Sequence, residues 1–437
     1  MLTLPHSQNW HRGPQNELHH AALCGSNERT ADLLRRGNID VNQGDPHGIT
    51  PLMIAACNGF CRVVTILLNS GANLAMTADD GATALHASAQ AGQTEMTKML
   101  VRAGSSIEAK DYKGFTPLHV AASEGRVDVM RALIKAGANV DCRMLDGATA
   151  LYSAAIKGFV KAVRVLLRAK ANPLLTRGVP PGDAFVPLDA ASQNGYPEVV
   201  HELLQRVGIG GCGGASGGVD ALHVAAQFGH IHVLTLLTRA GVVDPGRALV
   251  AAAGEGREAS VKFLLENQTS SRGGVAYANL RGRHGETPLF SCIDVGLDRV
   301  CWPRIARLLL DAGADPTLHD RVTNDEGELL FDNTPVFFTT NVLRGKLVEG
   351  KPATRQQLNM LLAAHRLLLR VEAVRAESWL WRKDSRCRAG SAEEDKTSTK
   401  SASTTRAQPG VVVPILDRRA GRRGAVSAAL LRFAGKP

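Results

Sequence analysis

Apolar positions along this chain fall into paired clusters. A short alanine-rich run such as "PLMIAAC" (51–57) or "PLHVAAS" (117–123) comes first. A second run follows, such as "VVTILL" (63–68) or "VDVMRALI" (127–134), with apolar residues at the three- and four-residue spacing of one helix face. Glycines punctuate both: Gly59, Gly92, Gly125 and Gly158 lie between the runs, and Gly71, Gly104 and Gly137 follow the second. The pattern predicts pairs of short helices, each stopped where the backbone must turn left-handed.

The pairs repeat. Gly48, Gly81, Gly114 and Gly147 stand 33 residues apart and open "GITPLMIAACNGF", "GATALHASAQAGQ", "GFTPLHVAASEGR" and "GATALYSAAIKGF". Pro51 and Pro117 sit where a helix begins, a position whose N–H has no partner within the helix. Ala55, Ala56, Ala121 and Ala122 allow close approach of neighbouring helices. This pattern resembles ankyrin repeats, most closely over residues 112–144. The resemblance implies an all-α-dominated repeat solenoid of helix–turn–helix units joined by β-hairpin loops, in which stacking supplies the burial that one unit cannot achieve alone.

The leucine of each segment extends the series through Leu18, Leu52, Leu85, Leu118, Leu151, Leu188, Leu222, Leu249 and Leu289. The later gaps are uneven, and "NTPVFFTTNVL" carries a degraded further copy, so about nine or ten repeats are expected. The expected organisation is an N-terminal extension (1–15), regular repeats (16–178) and irregular repeats with insertions (179–345). A C-terminal capping helix (346–382) and a basic low-complexity tail (383–437) follow. The insertions at 268–286 and 294–304 hold few apolar residues and read as loops. The tail has nothing to pack and reads as disordered.

Composition narrows the picture. Hydrophobic residues make up 44% but aromatics only 4%, which favours small side chains in close helix contacts over bulky layers. No apolar run reaches membrane-spanning length, and "MLTLPHSQNWHRGPQNEL" lacks the apolar core of a secretory signal. The expected location is the cytoplasm, or the nucleus if "RRAGRR" serves as an import signal. The net charge is +10, but the tail alone holds twelve Lys/Arg against five Asp/Glu. The array is thus close to neutral, which argues against a phosphate-tracking surface there and leaves nucleic-acid contact to the tail. Eight scattered cysteines form no C-x-x-C pair, which argues against a zinc site or a disulfide framework.

Residues with catalytic potential resolve into structural roles. The position after each repeat leucine holds His19, Met53, His86, His119, Tyr152, Asp189, His223, Val250 and Phe290. Chemistry that needs an imidazole would not tolerate that variety, and ankyrin proteins commonly use this Thr and His for hydrogen bonds within and between repeats. "GIGGCGG" (208–214) fits G-x-G-x-x-G but follows a helical segment, so it reads as a pliable hairpin. No phosphate loop, H-E-x-x-H or G-x-S-x-G is present. The expectation is a non-catalytic interaction module or scaffold, without cofactor, metal or small-molecule substrate.

Ankyrin arrays usually bind other proteins on the concave surface formed by hairpins and first helices. Carried onto this chain, that surface selects Asn58, Asp80, Gln90, Lys113, Phe115, Glu124, Met144, Asp146, Ile156 and Lys157. Phe115, Met144 and Ile156 form an apolar centre, and Lys113, Glu124, Asp146 and Lys157 a charged rim. Two other readings are an adaptor or substrate receptor of a ubiquitin-ligase-type assembly and a chromatin- or nucleic-acid-associated regulator. The first finds no SOCS-box or F-box pattern after Pro335, and the second would rest on the basic tail.

Overall fold

The computed structural model describes residues 14–178, 185–207, 221–242, 246–267, 277–282, 284–294, 302–318, 320–323 and 329–333, with isolated positions at 366, 368 and 369. All lie within the first of the chain's two units, Met1–Ala376 and Glu377–Pro437. The expected degraded repeat after Asn333, nearly all of the capping helix, the low-complexity tail and the "GIGGCGG" hairpin fall outside the described residues.

Nine helix pairs follow one another among the described residues. The first five are α1 (Pro14–Leu23) and α2 (Asn27–Arg35), α3 (Pro51–Asn58) and α4 (Cys61–Asn69), α5 (Ala84–Ala91) and α6 (Thr94–Arg102), α7 (Pro117–Ser123) and α8 (Val127–Lys135), and α9 (Ala150–Ile156) and α10 (Val160–Arg168). The remainder are α11 (Pro187–Gln193) and α12 (Pro197–Val207), α13 (Ala221–Phe228) and α14 (Ile231–Arg239), α15 (Arg247–Gly254) and α16 (Glu258–Asn267), and α17 (Pro288–Asp294) and α18 (Trp302–Asp311). The first helix of each pair stacks on the first helix of the next, from α1 through α17. The second helices form a parallel layer, α2 on α4 and α6 through α18 in series. One continuous core runs between the layers, through Leu18, Leu52, Leu85, Leu118, Leu151, Leu188, Leu222, Leu249 and Leu289.

The inner helices begin as their sequence predicts. Thr50 Oγ1 accepts from the Met53 N–H at 3.3 Å, and Thr149 Oγ1 from the Tyr152 N–H at 3.3 Å. In the third, fourth and sixth pairs the fourth residue returns a bond: the N–H of Thr83, Thr116 and Val186 donates to His86 Nδ1, His119 Nδ1 and Asp189 Oδ2 at 3.1, 3.2 and 3.1 Å. An aspartate thus performs the histidine's capping role in the sixth pair.

The expected β-hairpin loops form as tight turns closed by two backbone bonds, such as Asp111 N–H to Phe115 O at 3.0 Å with Gly114 N–H to Asp111 O at 2.9 Å. The sixth is closed by an antiparallel bridge in which Arg177 and Phe185 exchange N–H to O bonds at 2.7 and 3.1 Å. Successive turns are joined tip to tip, Asp79 N–H to His47 O, Tyr112 N–H to Asp80 O, Leu145 N–H to Lys113 O and Gly178 N–H to Asp146 O. A second spine crosses at the opposite end of the inner helices. The residue before each outer helix from α4 to α16 lies over the glycine of the preceding pair, and Gln93, Arg126, His230 and Arg257 donate to the Cys57, Gln90, Gln193 and Gln227 carbonyls at 2.9–3.2 Å. Beyond α18 a two-stranded antiparallel ribbon forms, β1 (Asp320–Thr323) with β2 (Leu329–Asn333), shifted in register between Val322 and Thr323. The sequence reading did not anticipate it.

Candidate partner-binding surface

A groove of about 220 Å³ opens on the inner face between the third and fourth pairs. Its walls are the turns at Asp80–Ala82 and Asp111–Phe115 and the solvent side of α5 and α7, with Lys157 reaching in from the C-cap of α9. The sequence explains the opening. The residue after the turn glycine is Ile49, Ala82, Phe115 or Ala148 in four successive repeats. Ile49, Ala82 and Ala148 are buried, whereas Phe115 remains half-buried beside the small Ala82.

Six of the ten candidate residues line this groove: Asp80, Gln90, Lys113, Phe115, Glu124 and Lys157. Met144 and Ile156, expected to face solvent, are half-buried and pack with Phe185 against Ala148, Tyr152 and Ala190, a small apolar cluster separate from the main core. Asp146 is exposed but engaged: its carboxylate accepts from the Ala148 N–H at 3.0 Å and from Arg177 Nε at 2.8 Å. Asp80 likewise accepts from the Ala82 N–H at 3.0 Å. Asn58 stands apart in the second pair, its amide donating to the Ile54 carbonyl at 2.9 Å. The structure therefore brings six residues into one recess, places three in or beside the neighbouring cluster, and leaves one outside.

Sequence reasoning missed Tyr112 and Leu145. They occupy equivalent places two residues before Gly114 and Gly147, and are 69% and 78% exposed at the turn tips. The tip-to-tip bonds hold their backbones in register. The signal was an apolar side chain two residues before the turn glycine, where the second and third pairs carry Pro46 and Asp79. Arg177 also escaped notice; it lies over the Tyr152 ring at 5.5 Å and ties the fifth turn to the sixth.

The histidines near the groove are neutral by environment. His86 Nε2 donates to the Phe115 carbonyl at 2.9 Å, and burial lowers its pKa despite that bond. His119 is 1% exposed and shares a 2.8 Å bond with Thr116 Oγ1 through Nδ1. Burial carries its pKa down to about 4; the Cys142 and Ala148 carbonyls oppose the shift, although Nε2 makes no hydrogen bond of normal geometry. Burial also raises the Cys57 and Cys142 thiols, so both remain protonated at neutral pH. Among the described residues no three His, Cys, Asp or Glu side chains gather as a metal site, and no helix is long and apolar enough to cross a membrane. The groove can therefore offer shape, an aromatic edge and fixed charges to a ligand.

The family model described as "Ankyrin repeats (3 copies)" matches residues 18–111, 70–144, 105–177, 188–273 and 222–320. This chain belongs to the ankyrin repeat family. Its array is a helical repeat solenoid of a kind whose general role is protein–protein interaction. No curated protein matches the chain.

Proposed function

We propose that the protein is a non-catalytic scaffold that captures a partner protein on the inner face of its third to fifth repeats. The observation that carries this reading is the groove around Phe115, where one partly exposed aromatic meets Asp80, Glu124, Lys113 and Lys157 on a framework tied by backbone hydrogen bonds. An apolar centre rimmed by both signs of charge suits a protein surface, because the aromatic supplies burial and the rim supplies orientation. The exposed Tyr112 and Leu145 beside it enlarge the apolar area available to a partner. Met144, Asp146 and Ile156 are assigned to the same face as its extension toward the sixth repeat, and Asn58 as its far edge.

The test is affinity capture with the full chain beside its Phe115→Asp, Ile156→Asp form, read by mass spectrometry, with thermal melting of both. A partner held by the first and lost by the second, at equal melting temperature, supports the reading. Identical catches would place binding elsewhere on the array, and a large fall in melting temperature would show that at least one of the two residues acts as core.

A further inference from the structure

The near-neutral charge of the array conceals a segregation. The outer helices α6, α8 and α10, with the residue after α10's C-cap, carry eight cations against two carboxylates, Glu95 and Asp128. The cations fall in two rows with the repeat's own period: Lys98, Arg131 and Arg164, then Arg102, Lys135 and Arg168. The first row is neutralised within the protein, Lys98 by Glu95 at 2.7 Å, Arg131 by Asp128 at 3.3 Å and Arg164 by Glu202 at 2.5 Å. No member of the second row has an ion pair among the described residues, and all three are exposed, as are Lys161 and Lys170. Helix dipoles account for one cation in each last turn, but not for the concentration of charge on three adjacent helices. The flanking helix α12 is different, with Glu198 and Glu202 among its charges.

Between α6 and α8 this basic surface has a groove of about 300 Å³. Its floor is Thr97, Val101 and Ala132, and its rim is Ala136, Lys98, Arg102 and Lys135. We propose that this outer face is a docking surface for an acidic segment of a partner protein that carries an aliphatic side chain among its carboxylates. The aliphatic side chain fills the floor, and the carboxylates meet Arg102 and Lys135, then Arg168 and Lys170 one repeat further on. A single-stranded nucleic acid would call for aromatic stacking platforms, and the exposed aromatic that borders these helices, Phe159 at the N-cap of α10, has its ring packed over Gly125. A phosphate surface, whether duplex or membrane, offers no side chain for the apolar floor.

The experiment titrates the full chain with a fluorescent peptide of repeating Leu-Glu-Glu. The comparison ligands are the same length of Ser-Glu-Glu, a short RNA duplex and vesicles containing phosphatidylserine. The Leu-Glu-Glu peptide is expected to bind most tightly, and more weakly as salt rises from about 50 to about 200 mM. Arg102→Glu with Lys135→Glu is expected to weaken it about tenfold or more at unchanged melting temperature. The charge-preserving Arg102→Lys with Lys135→Arg retains binding, and Arg168→Glu gives a smaller loss from the neighbouring repeat. Phe115→Asp leaves the affinity unchanged, which separates this face from the inner groove. The proposal is overturned if Leu-Glu-Glu does not bind, if Ser-Glu-Glu binds equally well, if RNA or vesicles bind more tightly, or if Phe115→Asp abolishes peptide binding.

Discussion

The inner and outer helices solve different packing problems with similar lengths. In α3 and α5, six of eight residues are buried; in α4, α6 and α8, three of nine are. An inner helix touches the inner helices before and after it and its own outer partner, so nearly every position is fixed by volume or hydrogen bonding. An outer helix buries one stripe, such as Val129, Met130 and Leu133, and leaves the rest to solvent. Structure therefore constrains the inner sequence almost completely, while the outer face is free to acquire charge.

The largest effect follows directly. Leu118 is 1% exposed between layers, and Leu118→Ala is expected to cost about 3 kcal/mol, because the surrounding inner helices cannot collapse into the space. Arg131→Ala on the outer face is expected to cost less than about 0.5 kcal/mol, since its pair with Asp128 is solvent-exposed. Urea unfolding followed by circular dichroism measures both. Equal losses would break the contrast between the layers.

His119 makes the same contrast visible to pH. Folding holds it neutral with a pKa of about 4, whereas the unfolded chain protonates near the ordinary imidazole value of 6.5. Below pH 6.5 the unfolded state takes up the proton first, so stability falls as pH drops from 6.5 toward 4 and is unaffected above that window. The full difference corresponds to about 3 kcal/mol as an upper bound. His86, also lowered by burial, adds in the same direction. His119→Met, which installs the residue found at the equivalent Met53, is expected to flatten this slope while losing about 1 kcal/mol of capping bonds at pH 7. An unchanged slope would mean that His119 titrates with the solvent.

Two glycines sharpen the comparison further. Gly158 follows an inner helix at φ +74°, and a Cβ there would lie 2.7 Å from the Tyr196 ring. Gly104 follows an outer helix at φ +97° with nothing within 4 Å of the same position. Gly158→Ala is expected to cost about 2 kcal/mol or more, combining backbone strain with displacement of Tyr196, and Gly104→Ala about 1 kcal/mol from strain alone. Thermal melting of the two variants would separate them.

What the sequence disclosed follows from the same division. The inner helices were legible because periodic Thr, Pro, Leu and Ala leave few alternative packings, and even the exchange of His119 for Tyr152 or Asp189 kept its structural meaning. The groove was legible in part: Phe115, Lys113, Glu124 and Lys157 could be placed by counting from Gly114 and Gly147. The burial of Met144 and Ile156 could not, since it depends on Phe185 arriving from across the sixth turn. Tyr112 and Leu145 were not legible because the equivalent tip places in the second and third repeats hold Pro46 and Asp79, so no apolar pattern marks the position. The basic outer face was hidden by averaging. A net charge counts Asp80, Asp111 and Asp146 on one side against Arg102, Lys135 and Arg168 on the other, and only the fold separates them.

Lys170 tests where these constraints meet. It is the one non-glycine with positive φ among the described residues, at +66°, in the place held by Gly71, Gly104 and Gly137. Its turn is otherwise the same: Lys170 N–H reaches Leu167 O at 3.1 Å and Ala171 N–H reaches Leu166 O at 3.0 Å, as Gly137 and Ala138 do with Ile134 and Leu133. The left-handed backbone thus carries a strain that glycine would relieve, and no loss of packing opposes it because Lys170 is exposed. Lys170→Gly is expected to raise stability by about 1 kcal/mol in chemical denaturation. The same change removes one of the outer face's unpaired cations, so it should also modestly weaken the Leu-Glu-Glu peptide. A gain in stability with a loss in binding would show that strain is retained at this turn for its charge; a gain with unchanged binding would confine the docking surface to α6, α8 and the helical part of α10.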